Sequence, residues 1–143
     1  MLKRLKKEIR KSSDTPDRAA FLNYKIAEGY YRREGKPAYA IRYCKQALEL
    51  KGTHTKSLDL IQKLYAELGK WEALADFLTD RSEKADDVES KVMWLKKLTE
   101  LHKDHTQERD REIETLERII DIQPNEMETL LRLESIYRED SRF

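Results

Sequence analysis

The sequence repeats itself at an interval of 34 residues, and this repetition constrains the fold more than any other feature. Tyr31 and Tyr65 are separated by that interval, and so are Gly35 and Gly69. One helical hairpin cannot bury its apolar face alone, whereas stacked copies of it can. A period of this length accommodates two helices of about 14 residues and two short turns.

A further copy of the pattern lies 72 residues after the second one. Residues 57–71 read Ser-Leu-x-x-Ile-x-x-Leu-Tyr-x-x-x-Gly-x-Trp, and residues 129–143 read Thr-Leu-x-x-Leu-x-x-Ile-Tyr-x-x-x-Ser-x-Phe. Such ordered matches are not expected from an unrelated helical sequence. They predict an array of similar units rather than one irregular domain.

Apolar residues recur at steps of three and four through most of the chain, which predicts amphipathic helices. Gly (4) and Pro (3) are too scarce for the turns of a many-stranded sheet. We expect Gly35 to end a helix with positive φ, Gly69 to end another helix, and Pro37 to begin one. Polar breaks are predicted at 12–15, 52–53, 82–90 and 104–107 and at Pro124, which gives seven or eight helices in an all-α fold.

The pattern resembles that of the tetratricopeptide repeat family over about residues 18–143. The matching positions are Tyr24, Ala27, Tyr31, Gly35, Ala40 and Ala47 in the first unit, and Leu95, Leu98, Leu116, Ile119 and Pro124 in the third. The resemblance implies a right-handed α-solenoid of stacked antiparallel helical hairpins. Its units would be 18–52, 53–87, 88–124 and an incomplete 125–143, preceded at 1–16 by a basic capping or truncated helix and a loop. The segment 68–74, Leu-Gly-Lys-Trp-Glu-Ala-Leu, is similar to segments of long bacterial arrays of this family.

The sequence departs from the family pattern at several positions that are normally small. The first-helix position holds Glu28, Gln62 and Glu134, and the second-helix position holds Leu74 and Glu112. The polar junction at 82–90 is also longer than the family pattern, so we expect wider spacing between some helix pairs.

Charge and cysteine content restrict the setting in which the chain works. The net charge is only +1, although residues 1–11 alone carry +5. The single cysteine, Cys44, excludes an internal disulfide and favours a reducing compartment. No apolar run approaches the roughly 18 residues of a membrane span. We therefore expect a cytoplasmic protein, unless the sequence is part of a longer chain.

No residue set predicts an enzyme, a metal site or a cofactor site. His102 and His105 are interpreted as solvated loop residues at a helix end rather than as metal ligands. Cys44 is interpreted as a small core residue, because it lies on the same stripe as Ile41 and Leu48. Phosphate-binding loops and hydrolase motifs do not occur in the sequence.

The family resemblance implies that the first helices line a concave face that binds a protein or peptide partner. The matching outward positions are Lys25, Gly29, Arg32, Arg33, Lys56, Asp59, Lys63, Lys96 and Glu100. Their basic members favour an acidic partner, although a solvated charged face explains them nearly as well. Gly29 either admits a ligand backbone or eases helix packing, and packing is slightly favoured.

Two alternatives to partner binding stay open. A self-associating array would stack through an uncovered C-terminal end formed by Leu130, Leu133, Ile136 and Phe143. If the sequence is a fragment, as we favour, further repeats would cover that end instead. The basic segment 1–11 could contact a membrane surface, but a capping role is preferred. Nucleic acid is not expected as a partner, because no stacking aromatic residues lie near this basic segment in the sequence.

Overall fold

The computed structural model describes residues 2–11 and 15–141, without the side chains of residues 8–11. Within these ranges the chain forms eight α-helices and no strand, which confirms the predicted all-α class. The helices are α1 Leu2–Lys11, α2 Pro16–Arg32, α3 Pro37–Leu50, α4 Thr55–Glu67, α5 Trp71–Lys84, α6 Val88–Leu101, α7 Arg109–Ile122 and α8 Met127–Asp140. The predicted break at 12–15 lies mostly outside the described residues.

One type of turn joins α2 to α3, α4 to α5 and α6 to α7. Each turn contains a residue in the left-handed conformation two positions before the next helix begins: Gly35 (φ 61°), Gly69 (φ 66°) and Gln107 (φ 52°). At Gly69 the amide of Lys70 donates to the carbonyl of Tyr65, and the amide of Gly69 donates to that of Ala66. This is the hydrogen-bond pattern of a Schellman cap. The predicted role of both glycines is confirmed.

A second type of junction precedes α4, α6 and α8. Each begins with a side chain that accepts a hydrogen bond from the backbone amide three residues later. The pairs are His54 with Ser57, Asp87 with Ser90 and Glu126 with Thr129. Such a bond satisfies one of the four amides that lack a partner at a helix start. None of these three caps is predicted by the apolar periodicity of the sequence.

A five-residue π-helical turn, His102–Thr106, extends α6 and contains most of the predicted loop at 104–107. It explains why the left-handed residues are 34 and then 38 positions apart, at 35, 69 and 107. The helices that follow them, α3, α5 and α7, all have 14 residues. The four additional residues therefore lie before the turn, not within the following helix.

The chain divides into two compact units, Met1–Lys70 and Trp71–Phe143. In the first unit α2 packs against α1 and α3, and α4 packs against α3 and touches α2. Its innermost side chains include Ile26, Cys44, Ile61 and Leu64. In the second unit α6 packs against α5 and α7, and α7 packs against α8. The π turn contacts α5, α6 and α7.

The expectation that Leu133 and Ile136 form an uncovered end is wrong. Both are buried, and they form a cluster with Leu116 of α7 that Ile113 and Ile120 extend. Leu130 is exposed, and the exposed apolar side chains of α8 are Met127, Leu130, Leu131 and Tyr137. Phe143 lies outside the described residues.

Three smaller expectations also require correction. The polar stretch 82–90 is not one loop, because α5 continues to Lys84 with Ser82 buried, and α6 begins at Val88. The apolar periodicity of residues 20–31 also predicts that Phe21 lies on the apolar side of its helix, but Phe21 is exposed. His102 is buried rather than solvated, because the π turn directs it inward.

Candidate protein-binding surfaces

The predicted groove residues of the first unit lie on α2 and α4. Tyr24 and His54 connect the two helices, with ring centres 5.7 Å apart. Near the other end of the helices, the Tyr31 hydroxyl donates to Glu67 Oε1 at 2.6 Å, and Lys63 Nζ lies 5.6 Å from the Tyr31 ring centre. The hydrogen bond to Glu67 raises the pKa of Tyr31. The structure therefore brings the predicted residues of both helices to neighbouring positions.

Glu28 organises the part of this surface that belongs to α2. Its carboxylate accepts from Lys25 Nζ at 2.9 Å and from the Tyr24 hydroxyl at 3.0 Å, and Arg32 Nε lies 3.9 Å away. The hydrogen bond from Lys25 lowers the pKa of Glu28, so the carboxylate stays charged near neutral pH. Two of the predicted groove cations are therefore partly neutralised by a residue of their own helix.

The remaining predicted positions of the first unit differ in accessibility. Arg33, Lys56, Asp59 and Lys63 are exposed, whereas Gly29 is buried in α2. A buried glycine offers no open backbone to a ligand, so its position favours the packing interpretation. The side chains named on this surface carry a net charge of +2. The five basic residues are Lys25, Arg32, Arg33, Lys56 and Lys63, and the three acidic residues are Glu28, Asp59 and Glu67.

In the second unit, Lys96 and Glu100 line a cleft bounded by α6, α7 and α8. Lys96 Nζ bridges Glu126 Oε1 at 3.0 Å and Glu128 Oε2 at 3.5 Å, which ties α6 to the start of α8. Glu100 is exposed in the same cleft. This cleft has a volume of about 200 Å³, and a second, wider cleft that Lys96, Glu100 and Glu128 also line has a volume of about 470 Å³.

A buried ion pair lies on the wall of this cleft. Arg132 Nε donates to Glu112 Oε2 at 2.7 Å, and Nη2 donates to Oε1 at 3.2 Å. Glu112 is almost fully buried, whereas a quarter of the Arg132 side chain is exposed. The hydrogen bonds to Glu112 raise the pKa of Arg132. This pair fixes α8 against α7 beside the predicted groove residues.

The histidines and the cysteine have structural surroundings rather than the geometry of a reactive site. His102 Nδ1 lies 3.0 Å from the Thr106 hydroxyl, whereas His105 stacks on Trp71 with ring centres 3.8 Å apart. Among the described residues, no group of three potential metal ligands occurs. Cys44 is buried, and burial raises its pKa to about 12, which keeps the thiol protonated at neutral pH.

The basic segment at the start of the chain meets aromatic residues that are distant in sequence. Lys6 Nζ donates to the Tyr30 hydroxyl at 3.0 Å and lies 5.4 Å from the ring centres of both Tyr30 and Tyr43. The apolar side chains of α1 that the structure describes, Leu2 and Leu5, are half-buried. This arrangement was not predictable from the sequence, because the lysine and the two rings are far apart along the chain. Lys6 belongs to α1, Tyr30 to α2 and Tyr43 to α3.

No helix within the described ranges is long and apolar enough to cross a membrane. Comparison of the chain with protein-family models, with curated proteins and with solved structures found no match. The candidate surfaces are therefore defined by their own geometry: a mixed, mildly basic surface on α2 and α4 in the first unit, and a charged cleft between α6, α7 and α8 in the second.

Proposed function

We propose that the chain is a tetratricopeptide-like interaction module, a right-handed α-solenoid that holds a segment of a partner protein on a concave face. Binding would use shape and charge, without a cofactor and without catalysis. The observation that carries this proposal is that helices contact their next-but-one neighbours within each unit.

These contacts recur along the chain. In the first unit Lys6 of α1 reaches Tyr43 of α3, and Tyr31 of α2 reaches Glu67 of α4. In the second unit, Arg111 of α7 donates to Glu72 of α5 at 3.0 Å. Lys96 of α6 reaches both Glu126, the cap of α8, and Glu128 within α8. Stacked hairpins produce this pattern, because the first helices of consecutive hairpins lie side by side.

A closed four-helix bundle would give a different pattern. In an up-and-down bundle the first and fourth helices are neighbours, and the first and third lie across a diagonal. Over residues 2–11 and 15–141, backbone proximity joins α2 to α4 but neither α1 to α4 nor α5 to α8. The other next-but-one pairs meet through side chains alone. The open arrangement of hairpins is therefore the better supported proposal for each unit.

The charge of the first unit favours an acidic partner. Residues 1–70 contain 17 basic and 8 acidic residues, a net charge of +9, whereas residues 71–143 contain 12 basic and 20 acidic residues, a net charge of −8. An acidic segment approaching the α2 and α4 surface would be attracted by the whole unit as well as by the exposed side chains there.

Reversal of three surface charges tests this assignment. We expect the triple variant Lys25→Glu, Arg32→Glu, Lys56→Glu to lose affinity for acidic peptides selected from a displayed library by about tenfold or more, because attraction becomes repulsion. Circular dichroism should show an unchanged helical content, since Arg32 and Lys56 are exposed and Lys25 is only half-buried.

A matched control distinguishes the effect of charges on the α2 and α4 surface from the effect of the net charge of the chain. The variant Lys70→Glu, Lys84→Glu, Arg118→Glu changes the net charge equally, and its Lys84 and Arg118 also pair with a carboxylate of their own helix. It should keep most of the affinity. Unchanged peptide binding by the first variant would show that the groove is wrongly assigned.

Self-association is a second candidate, favoured by one observation. Met127, Leu130, Leu131 and Tyr137 place four large exposed apolar side chains on the single helix α8. Such a concentration on one helix is typical of an interaction surface, and a second copy of the chain is the occupant that we consider.

A further inference from the structure

Three tyrosines of the first unit form a stack of nearly parallel rings, called the tyrosine stack below. Tyr30 lies in the middle, 5.4 Å from Tyr39 with planes 25° apart and 5.6 Å from Tyr43 with planes 20° apart. Tyr30 comes from α2, and the other two from α3. Tyr39 forms one end of the stack, and half of its surface (50%) is exposed.

Two lysines lie over the rings of the tyrosine stack, and further exposed basic residues belong to the same helices. Lys6 lies over Tyr30 and Tyr43, and Lys36 Nζ lies 5.7 Å from the ring centre of Tyr39. Arg42 follows Tyr39 by one helical turn and is exposed, as are Lys45 on α3 and Lys3 and Lys7 on α1. These residues belong to the unit whose net charge is +9.

A structural role accounts for part of this arrangement. Lys6, Tyr30 and Tyr43 hold α1 against α2 and α3, because the lysine hydrogen-bonds one ring hydroxyl and lies over both rings. Tyr39 makes no such connection to α1 within the described contacts, half of the residue is exposed, and Lys36 Nζ lies over its ring. This half-exposed tyrosine beside a lysine is the part that a structural role leaves unexplained.

An aromatic ring beside a line of cations is the combination that binds single-stranded nucleic acid without sequence preference, by base stacking and phosphate neutralisation. We propose that the tyrosine stack is such a site, with a base on Tyr39 and the phosphates along the basic side chains of α1 and α3. The site goes beyond the proposed function and shares no residue with the α2 and α4 surface.

The other polyanions fit this surface less well. Binding to an anionic membrane would use exposed apolar side chains, but Leu2 and Leu5 of α1 are half-buried. An acidic peptide needs the cations but not a half-exposed ring. The expectation that nucleic acid is excluded depended on a lack of aromatic residues near the basic segment, and the structure places two rings beside Lys6.

The test measures binding of the full chain to a fluorescent single-stranded oligothymidylate by anisotropy at low salt. Tyr39→Ala should weaken binding about 5- to 100-fold, the loss expected for one stacked base. Tyr39→Phe should bind as the unchanged chain does, because the ring is retained. Phe21→Ala is the matched control, since Phe21 is exposed to a similar extent (44%) on α2 of the same basic unit, and it should have no effect.

Two further ligands and one further variant identify the class of ligand that binds. An abasic strand with the same number of phosphates should bind as weakly to the unchanged chain as the oligothymidylate binds to Tyr39→Ala. Arg42→Ala should lower the dependence of log affinity on log salt by about 0.7, the value for one phosphate of a single strand. Polyglutamate should bind more weakly than the oligothymidylate.

The proposal is overturned by any of the following: no binding of the oligothymidylate at low salt, equal binding of the abasic strand, or equal binding of polyglutamate. Binding of phosphatidylserine vesicles that is stronger than that of the oligothymidylate and insensitive to Tyr39→Ala would assign the surface to a membrane instead. Circular dichroism of Tyr39→Ala should show an unchanged helical content, so that a loss of binding can be distinguished from unfolding.

Discussion

Glu112 is a buried carboxylate on α7, held by two hydrogen bonds from Arg132 of α8. In the repeat pattern this position carries a small residue, as does the position of Glu28 on α2. Each acidic residue at these positions has a set of partners: Arg132 for Glu112, and Tyr24, Lys25 and Arg32 for Glu28. At these two positions, polar contacts therefore occur where the tetratricopeptide pattern would place a small residue.

Removal of Arg132 should destabilise the protein strongly. Arg132→Ala leaves the buried carboxylate of Glu112 without its partner, which costs about 3 kcal/mol of unfolding free energy. Arg138→Ala is the control, because it removes only an exposed pair with Glu134 and should cost less than about 0.5 kcal/mol. Urea unfolding followed by circular dichroism measures both values.

The double variant Glu112→Leu, Arg132→Leu should recover most of the lost stability, since it removes both charges from the buried position. Equal unfolding free energies for Arg132→Ala and Arg138→Ala would contradict the importance assigned to the buried pair.

Two histidines should make the stability fall between about pH 7 and pH 5. Burial lowers the pKa of His54 and of His102 below the ordinary value of 6.5. Their neutral forms are therefore favoured by folding, and the resulting stability is fully present above pH 6.5 and is lost as the pH falls through the lower folded pKa values. His54 Nδ1 also accepts from the Ser57 amide, which requires an unprotonated nitrogen.

The measurement is the melting temperature as a function of pH. In His54→Asn the decrease between about pH 7 and pH 5 should be smaller, because asparagine caps a helix without titrating in this range. His105→Asn is the control, because it removes a histidine that does not cap a helix. An identical pH dependence in His54→Asn and the unchanged chain would show that the cap does not contribute.

The turns between helices show the repeat at the scale of the element. Gly35, Gly69 and Gln107 take the same left-handed conformation at the same distance from the next helix. Only the glycines adopt this conformation without cost, because a β-carbon meets the following carbonyl. Gln107 is therefore a strained copy of the two glycines.

Gln107→Gly should stabilise the protein by up to about 1 kcal/mol, and Gly69→Ala should destabilise it by about the same amount. The second effect should be purely conformational, because a β-carbon built at Gly69 meets no atom within 4 Å outside Gly69 and its two chain neighbours. Gly69→Asn should recover part of the loss. Thermal unfolding measures all three, and destabilisation by Gln107→Gly would contradict the interpretation.

Periodicity predicted most of these elements, because the apolar stripes and the glycines follow directly from helical geometry. Pro37 begins α3 and Gly69 ends the turn after α4, as expected. The π turn at His102–Thr106 was not predictable from periodicity, since its polar residues resemble a loop. The caps at His54 and Glu126 were missed because neither residue is a common helix cap.

At the scale of the whole molecule, charge is distributed unevenly between the two compact units. The first is strongly basic and contains the α2 and α4 surface and the tyrosine stack. The second is strongly acidic and contains the cleft of Lys96 and Glu100 and the exposed apolar side chains of α8. The sequence located the candidate residues on their helices, but the tyrosine stack depends on contacts between α1, α2 and α3 that no local pattern indicates.

The exposed side chains of α8 lead to a prediction about oligomeric state. If a second copy covers Leu131, then Leu131→Glu should weaken association about tenfold or more, because burying one leucine contributes about 1.5–3 kcal/mol. Phe21→Glu is the control, since Phe21 is an exposed apolar residue of the first unit. Light scattering across a range of concentrations measures both, and a strict monomer at every concentration excludes self-association.

The π turn shows that the segment between α6 and α7 can change in length. It accommodates four additional residues between two helices, yet the left-handed residue and the next 14-residue helix keep their usual register. Insertions at this junction are thus expected to leave the neighbouring hairpins undisturbed. Extra length at this position is therefore absorbed by the end of one helix, and the start of the following helix is preserved.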